Sequence, residues 1–125
     1  MSLRRLRSQW ESLAREDPLW AILSDPARRG GKWDLAEFFA TGEREILEAL
    51  EHLQRLGVTP PSGRALDFGC GVGRLTQALA SRFARADGVD LSAAMVAQAR
   101  GYNRFGERCV YHHNDAPGLP FEEAS

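Results

Sequence analysis

Lysine is almost missing from this sequence. Lys32 is the only one, and arginine carries the rest of the positive charge. The formal net charge is −1, so no global field calls for nucleic acid or an anionic membrane as a partner. Cysteine is scarce too. Cys70 and Cys109 are the only two, with neither metal-ligand spacing nor a disulfide framework. No apolar run approaches membrane-spanning length. The start, Met1 to Arg7, is basic but leads into no apolar stretch, so it is not a secretory signal. A reduced, cytoplasmic protein is the expectation. Histidine is limited to His52, His112 and His113. The last two are adjacent on a predicted strand, where neighbours face opposite sides, so no metal site is expected. No serine has a histidine and acid partner set, and no repeat or low-complexity tract is visible.

What is present is the composition of one globular unit. The chain has 125 residues, 43% apolar and 26% charged, which is a one-domain length. Its most informative stretch runs from Arg64 to Leu75. Leu66 and Phe68 read as the apolar part of a short buried strand. Gly69, Gly71 and Gly73 allow a sharp turn and leave no side chains in a ligand's way. Leu75, Ala78, Leu79 and Phe83 then recur at helical spacing. A glycine turn feeding a helix N-terminus suits nucleotide-like or anionic groups, because free N–H groups face it. A dinucleotide fingerprint, G-x-G-x-x-G, fits poorly, since Arg74 stands where its third glycine belongs.

An acid two residues ahead of a G-x-G-x-G run, here Asp67 before Gly69, Gly71 and Gly73, resembles the first motif of the class I S-adenosylmethionine (SAM) dependent methyltransferases. The resemblance continues through Val89-Asp90-Leu91-Ser92 and Asn114-Asp115-Ala116, and so spans roughly residues 64–116. It implies an α/β fold, a Rossmann-like parallel sheet flanked by helices. It also implies SAM as methyl-donor cosubstrate. Asp67 would meet the amino group of the methionine part. The backbone of Gly69, Cys70, Gly71 and Gly73 would border the methionine and ribose. Asp90 would accept hydrogen bonds from the ribose hydroxyls, as a carboxylate at the end of a second βαβ strand does. Leu91 would cover one face of the adenine. Asp115 would accept the adenine amino hydrogen, with the Ala116 N–H reading a ring nitrogen. Taken alone, Asp90 is also a strand-end turn residue and Asp115 a loop acid. Asp87 reads as a strand or turn acid whose loss is a surface-type effect.

Upstream, Asp17-Pro18 restarts a helix, with Leu19, Trp20, Ile22 and Leu23 as an apolar group. Trp10, Trp20 and Trp33 read as packing of an N-terminal extension, or as a lid lining a substrate pocket. A short helix is predicted over 34–40, capped by Asp34. A second is predicted over 43–56, with Thr41 as its cap and Gly57 closing it. Thr41 is a cap or, beside Phe38 and Phe39, a cofactor contact. Further strands are predicted over 86–90 and 109–113, and Ser92 caps a helix that Gly101 ends.

The class I sheet has seven strands, and only about three are legible here. The resemblance therefore divides the chain into a helical extension or lid over 1–61 and the first half of a SAM-binding domain over 62–125. In that sheet the first strand is central and pairs with the fourth, which would follow Ser125. The expected function is methyl transfer from SAM to an unidentified, small-molecule acceptor. The alternatives are a truncated, non-catalytic SAM-binding or partner-binding module, and a nicotinamide or flavin oxidoreductase. Acceptor-binding residues of the family follow the fourth strand, so no catalytic base is named. The 125-residue chain alone is expected to be inactive.

Overall fold

The computed structural model describes residues 33–114 and, ahead of them, residues 8–9, 11–12, 15–16 and 18–22. Three parallel strands form one sheet: β1 (Arg64–Phe68), β2 (Arg85–Asp90) and β3 (Cys109–His113), in the order β1-β2-β3. The strands fall where the sequence places them and are parallel as the resemblance implies, with β2 starting one residue earlier than expected.

The register sets which residues share a face. Asp67 lies beside Gly88, Ala86 beside Cys109, and Gly88 beside Tyr111. Since alternate residues face opposite sides, Ala65, Ala86, Gly88, Cys109 and Tyr111 line one face. Helices α3 (Arg74–Ala80) and α4 (Ala93–Tyr102) cover it through Ala80, Val96 and Ala99. The small strand residues let both helices approach closely. Ser92 caps α4 by accepting from the Met95 N–H at 3.1 Å. That helix runs through Gly101 to Tyr102, one turn position past the predicted stop.

The opposite face carries Leu66 and Phe68, which are 42% and 58% exposed, and Asp87, which is fully buried. Asp87 is therefore not the surface-type acid expected from sequence. Its carboxylate accepts from Arg64 Nε at 2.7 Å and from Arg85 Nη2 at 2.8 Å, and lies 3.0 Å from His112 Nε2. Arg64, Arg85 and His112 come from three different strands and close over it. Burial alone would raise the Asp87 pKa, but these three partners outweigh it and hold the carboxyl well below the usual range.

Upstream of the sheet lie α1 (Pro18–Ile22) and α2 (Leu35–Arg55). The two helices predicted over 34–56 are one. Asp34 caps it as expected, accepting from the Glu37 N–H at 2.9 Å. Thr41 does not start a new helix. Its hydroxyl donates to the Phe38 carbonyl one turn back at 2.6 Å, which lets it sit inside the helix. Gly42 is buried, and a Cβ there would collide with the Arg74 carbonyl. The glycine thus marks a close crossing with α3 rather than a break. Beyond Leu56, Gly57 at φ 76° ends α2. Its N–H donates to the Gln54 carbonyl and the Val58 N–H to the Leu53 carbonyl, a Schellman closure.

A second core cluster joins these helices to the sheet ends. Leu19 of α1, Phe38 and Phe39 of α2, Val72 of the glycine turn and Met95 of α4 are all buried together. Trp33 packs edge-on against Phe38 at 5.6 Å, so this tryptophan serves packing. Trp10 and the Trp20 side chain lie outside the described residues.

Candidate functional site

The C-terminal ends of β1 and β2 are where ligands bind in open parallel sheets, outside the carboxyl ends of neighbouring strands. Asp67 is the fourth residue of β1, and Asp90 is the last residue of β2. Between them the chain turns through Gly69, Gly71 and Gly73, all at positive φ, at 64°, 55° and 90°.

The three glycines are needed for different reasons. A Cβ on Gly69 would meet nothing within 4 Å, so this glycine borders open space. A Cβ on Gly71 would lie 2.6 Å from Ile22 Cδ1 of α1. A Cβ on Gly73 would press into the Tyr111 ring, 2.9 Å from Cζ. Only the first glycine is left to a ligand, while the other two make room for this chain's own side chains. Cys70 turns inward. Its Sγ lies where a Cβ on Gly88 would be crowded, and burial raises the thiol pKa strongly. It remains a protonated packing group, so only its backbone lies along the turn.

Asp90 ties the site together. Its Oδ2 accepts from the Gly71 N–H and its Oδ1 from the Ser92 N–H, both at 2.9 Å. A carboxylate has roughly four acceptor positions, so about two remain for a ligand. Leu91 follows on a bend, its carbonyl 3.0 Å from His113 Nε2. The Asn114 N–H donates to the Asp90 carbonyl at 3.0 Å. Asp115 and Ala116, the expected adenine contacts, lie outside the described residues.

Asp67 accepts from the Thr76 hydroxyl at 2.7 Å. Burial raises its pKa and the neighbouring Asp90 charge adds to this, while Thr76 and Arg74 pull it down. The net shift is upward. A cationic ligand would reverse it, because an ammonium or sulfonium favours the charged carboxylate. Two carboxylates at one crevice therefore make a place for positive charge.

Sequence reasoning missed several contributors. Thr76 and Tyr111 lie behind Asp67 and Gly73, and Ile22 lies over Gly71. Arg74, which spoils a dinucleotide pattern in the sequence, joins two helices in the fold. Its side chain is largely buried and reaches Glu45 Oε2 at 2.8 Å and the Thr41 hydroxyl at 3.3 Å. Thr41 thus meets Arg74, and the structure does not bring it directly to Asp67 or Asp90. None of these partners is a local sequence pattern, since each contact joins separate elements. Among the described residues no His, Cys, Asp and Glu group could hold a metal ion, and no helix is long and apolar enough to cross a membrane.

Comparison with known proteins bears on the family and the fold. Residues 65–125 match the methyltransferase domain family. Phosphoethanolamine N-methyltransferase 1 of Haemonchus contortus, solved with phosphoethanolamine and S-adenosylhomocysteine, has a TM-score of 0.69 at 17% identity, over 98% of this chain and 23% of that one. Magnesium protoporphyrin IX methyltransferase of Synechocystis, with bound SAH, gives 0.58 at 23% identity, over 90% of this chain and 51% of that one. A SAM-dependent methyltransferase of Anabaena variabilis gives 0.59 at 21% identity, over 90% of this chain and 38% of that one. The chain therefore spans about half or less of the length of these structures. Comparison with curated proteins gives no match. Residues 65–125, just under half of the chain, match the methyltransferase domain family, and the parallel sheet with its helices forms part of the Rossmann-like fold of these solved structures.

Proposed function

We propose that the crevice between β1 and β2 binds S-adenosylmethionine and that the protein transfers its methyl group to a small-molecule acceptor. The observation that carries this is the pairing of Asp67 and Asp90 at the ends of adjacent parallel strands, with the glycine turn between them. The Asp67 carboxylate meets the ammonium of the methionine part. The free acceptor positions of Asp90 take the ribose hydroxyls, and Leu91, Asp115 and Ala116 hold the adenine. The small acceptors in the names of the Haemonchus and Synechocystis proteins support the acceptor class.

Methyl transfer asks little of the protein beyond geometry. The sulfonium already carries a good leaving group, and the acceptor atom must approach the methyl carbon in line at near-attack distance. A base helps only where the acceptor must lose a proton. The described residues account for cofactor binding, and none of them is assigned to the acceptor or to a base. Residues 1–125 made alone are expected to bind SAM without detectable methyl transfer.

Titration calorimetry with SAM, SAH and NAD tests the cofactor. SAM and SAH should bind and NAD should not. Asp90→Ala should lose about 2–4 kcal/mol, roughly 30- to 1,000-fold in SAM affinity, as two charge-assisted hydrogen bonds that do not fully add. Wild-type binding of NAD in preference to SAM would overturn the assignment.

A further inference from the structure

The first turn of an α-helix leaves N–H groups without intrahelical partners. In α4 the Ser92 hydroxyl satisfies the Met95 N–H at 3.1 Å. The Ala94 N–H is satisfied from far away in sequence. It donates to Glu11 Oε1 at 3.1 Å. This helix start directly follows Asp90 and Leu91, so Glu11 touches the loop that carries the ribose and adenine contacts.

The same N-terminal segment is held at two further points. Leu19 is buried with Phe38, Phe39, Val72 and Met95. Ile22 lies over Gly71, where a Cβ would stand 2.6 Å from its Cδ1. Gly71 in turn donates its N–H to Asp90. Glu11 and Ile22 therefore hold the two sides of the crevice, one at the β2 end and one at the β1 end. Among the described residues the other polar and charged groups around Glu11 are Arg15, whose Nη2 is 3.5 Å from Oε2, and the Ser92 hydroxyl. Burial would raise the Glu11 pKa, but the bonds to Ala94, Ser92 and Ala93 outweigh it and keep the group charged. A charged carboxylate at a helix N-terminus is also favoured by the helix dipole.

We infer that Glu11 is a positioning residue for the cofactor site: seated on the first turn of α4, it fastens the loop after β2 that carries Asp90 and Leu91 and so retains the adenosyl ligand. The ligand's identity rests on the function proposed above. The fastening itself does not, and the two are tested separately.

The first measurement is amide hydrogen exchange on the ligand-free full chain. Glu11→Ala should speed exchange at Ala94 by about tenfold, the weight of one charge-assisted hydrogen bond. Met95, held by Ser92, should keep its protection. Glu11→Gln keeps an acceptor oxygen and should restore most of the protection at Ala94. Glu16→Ala, on the same segment but exposed, should change nothing. The second measurement is the dissociation rate of SAH by stopped flow. Glu11→Ala should release SAH about tenfold faster, with Glu11→Gln near wild type. Unchanged exchange at Ala94 in Glu11→Ala would overturn the fastening. Faster exchange with unchanged SAH release would overturn the retention role. Wild-type protein that binds no SAH would overturn the cofactor assignment and retention with it, while the exchange data would still decide the fastening.

Discussion

Asp87 and Asp90 lie three positions apart on β2 and face opposite sides of the sheet. Asp87 faces Arg64, Arg85 and His112, and Asp90 faces the glycine turn. Removing Asp87 leaves three basic groups crowded over an empty site. Asp87→Ala should cost roughly 2–4 kcal/mol, less than a fully buried pair because Arg64 and Arg85 keep solvent access. Its denaturant midpoint should fall while SAH affinity of the folded protein holds. The same network sets an acid limit. The folded-state pKa of Asp87 is depressed, so its contribution is fully present above the ordinary value of 3.8 and is lost as pH falls below it. Wild-type stability should drop more steeply below that pH than Asp87→Asn, measured by denaturant titration across the acid range. For Asp90, the geometry revises a simple expectation. An asparagine there keeps one oxygen, but both carboxylate oxygens already accept backbone N–H groups. The amide nitrogen must then face an N–H donor, so Asp90→Asn should weaken SAH binding substantially, short of Asp90→Ala.

At the scale of elements, α2 shows why local signals misplace a boundary. Thr41 and Gly42 are a plausible cap and break when read alone. In the fold Thr41 bonds within its own helix and Gly42 lets α2 meet the Arg74 carbonyl at the start of α3. A test follows from the sign of the effect. Replacing a helical glycine with alanine usually stabilises by about 1 kcal/mol. At Gly42 the added methyl must push α2 off α3, an overpacking cost of about 1–3 kcal/mol. Gly42→Ala should therefore lower the thermal midpoint, where a propensity effect alone would raise it. Arg74 joins the same crossing through Glu45 and Thr41, so the helix and the glycine turn are positioned together.

For the whole molecule, the sheet edge is the main consequence. Among the described residues β1 has β2 on one side and no strand on the other. Leu66 and Phe68 are exposed on its free face. An open edge with exposed apolar side chains is a template for pairing with another chain. Residues 1–125 made alone should self-associate, seen as concentration-dependent mass in light scattering. Phe68→Lys should reduce it by placing a charge at that edge. A wild-type sample that stays monomeric at high concentration would contradict the expectation.

The sequence by itself determined the three strands, the capping of α4 by Ser92 and of α2 by Asp34, and the glycine turn between Asp67 and Asp90. These rest on residue type and short spacing, which act within one turn or one strand. Tertiary structure decided what lies behind and above the turn. Gly73 makes room for Tyr111 and Gly71 for Ile22, because strands and helices far apart in sequence converge there. Asp87 is a buried ionic centre because three strands bring their basic residues to one point. Glu11 meets the Ala94 N–H of α4 although 83 positions separate them in the chain. Contacts of that kind depend on where the chain returns in space, and no periodicity along it records them.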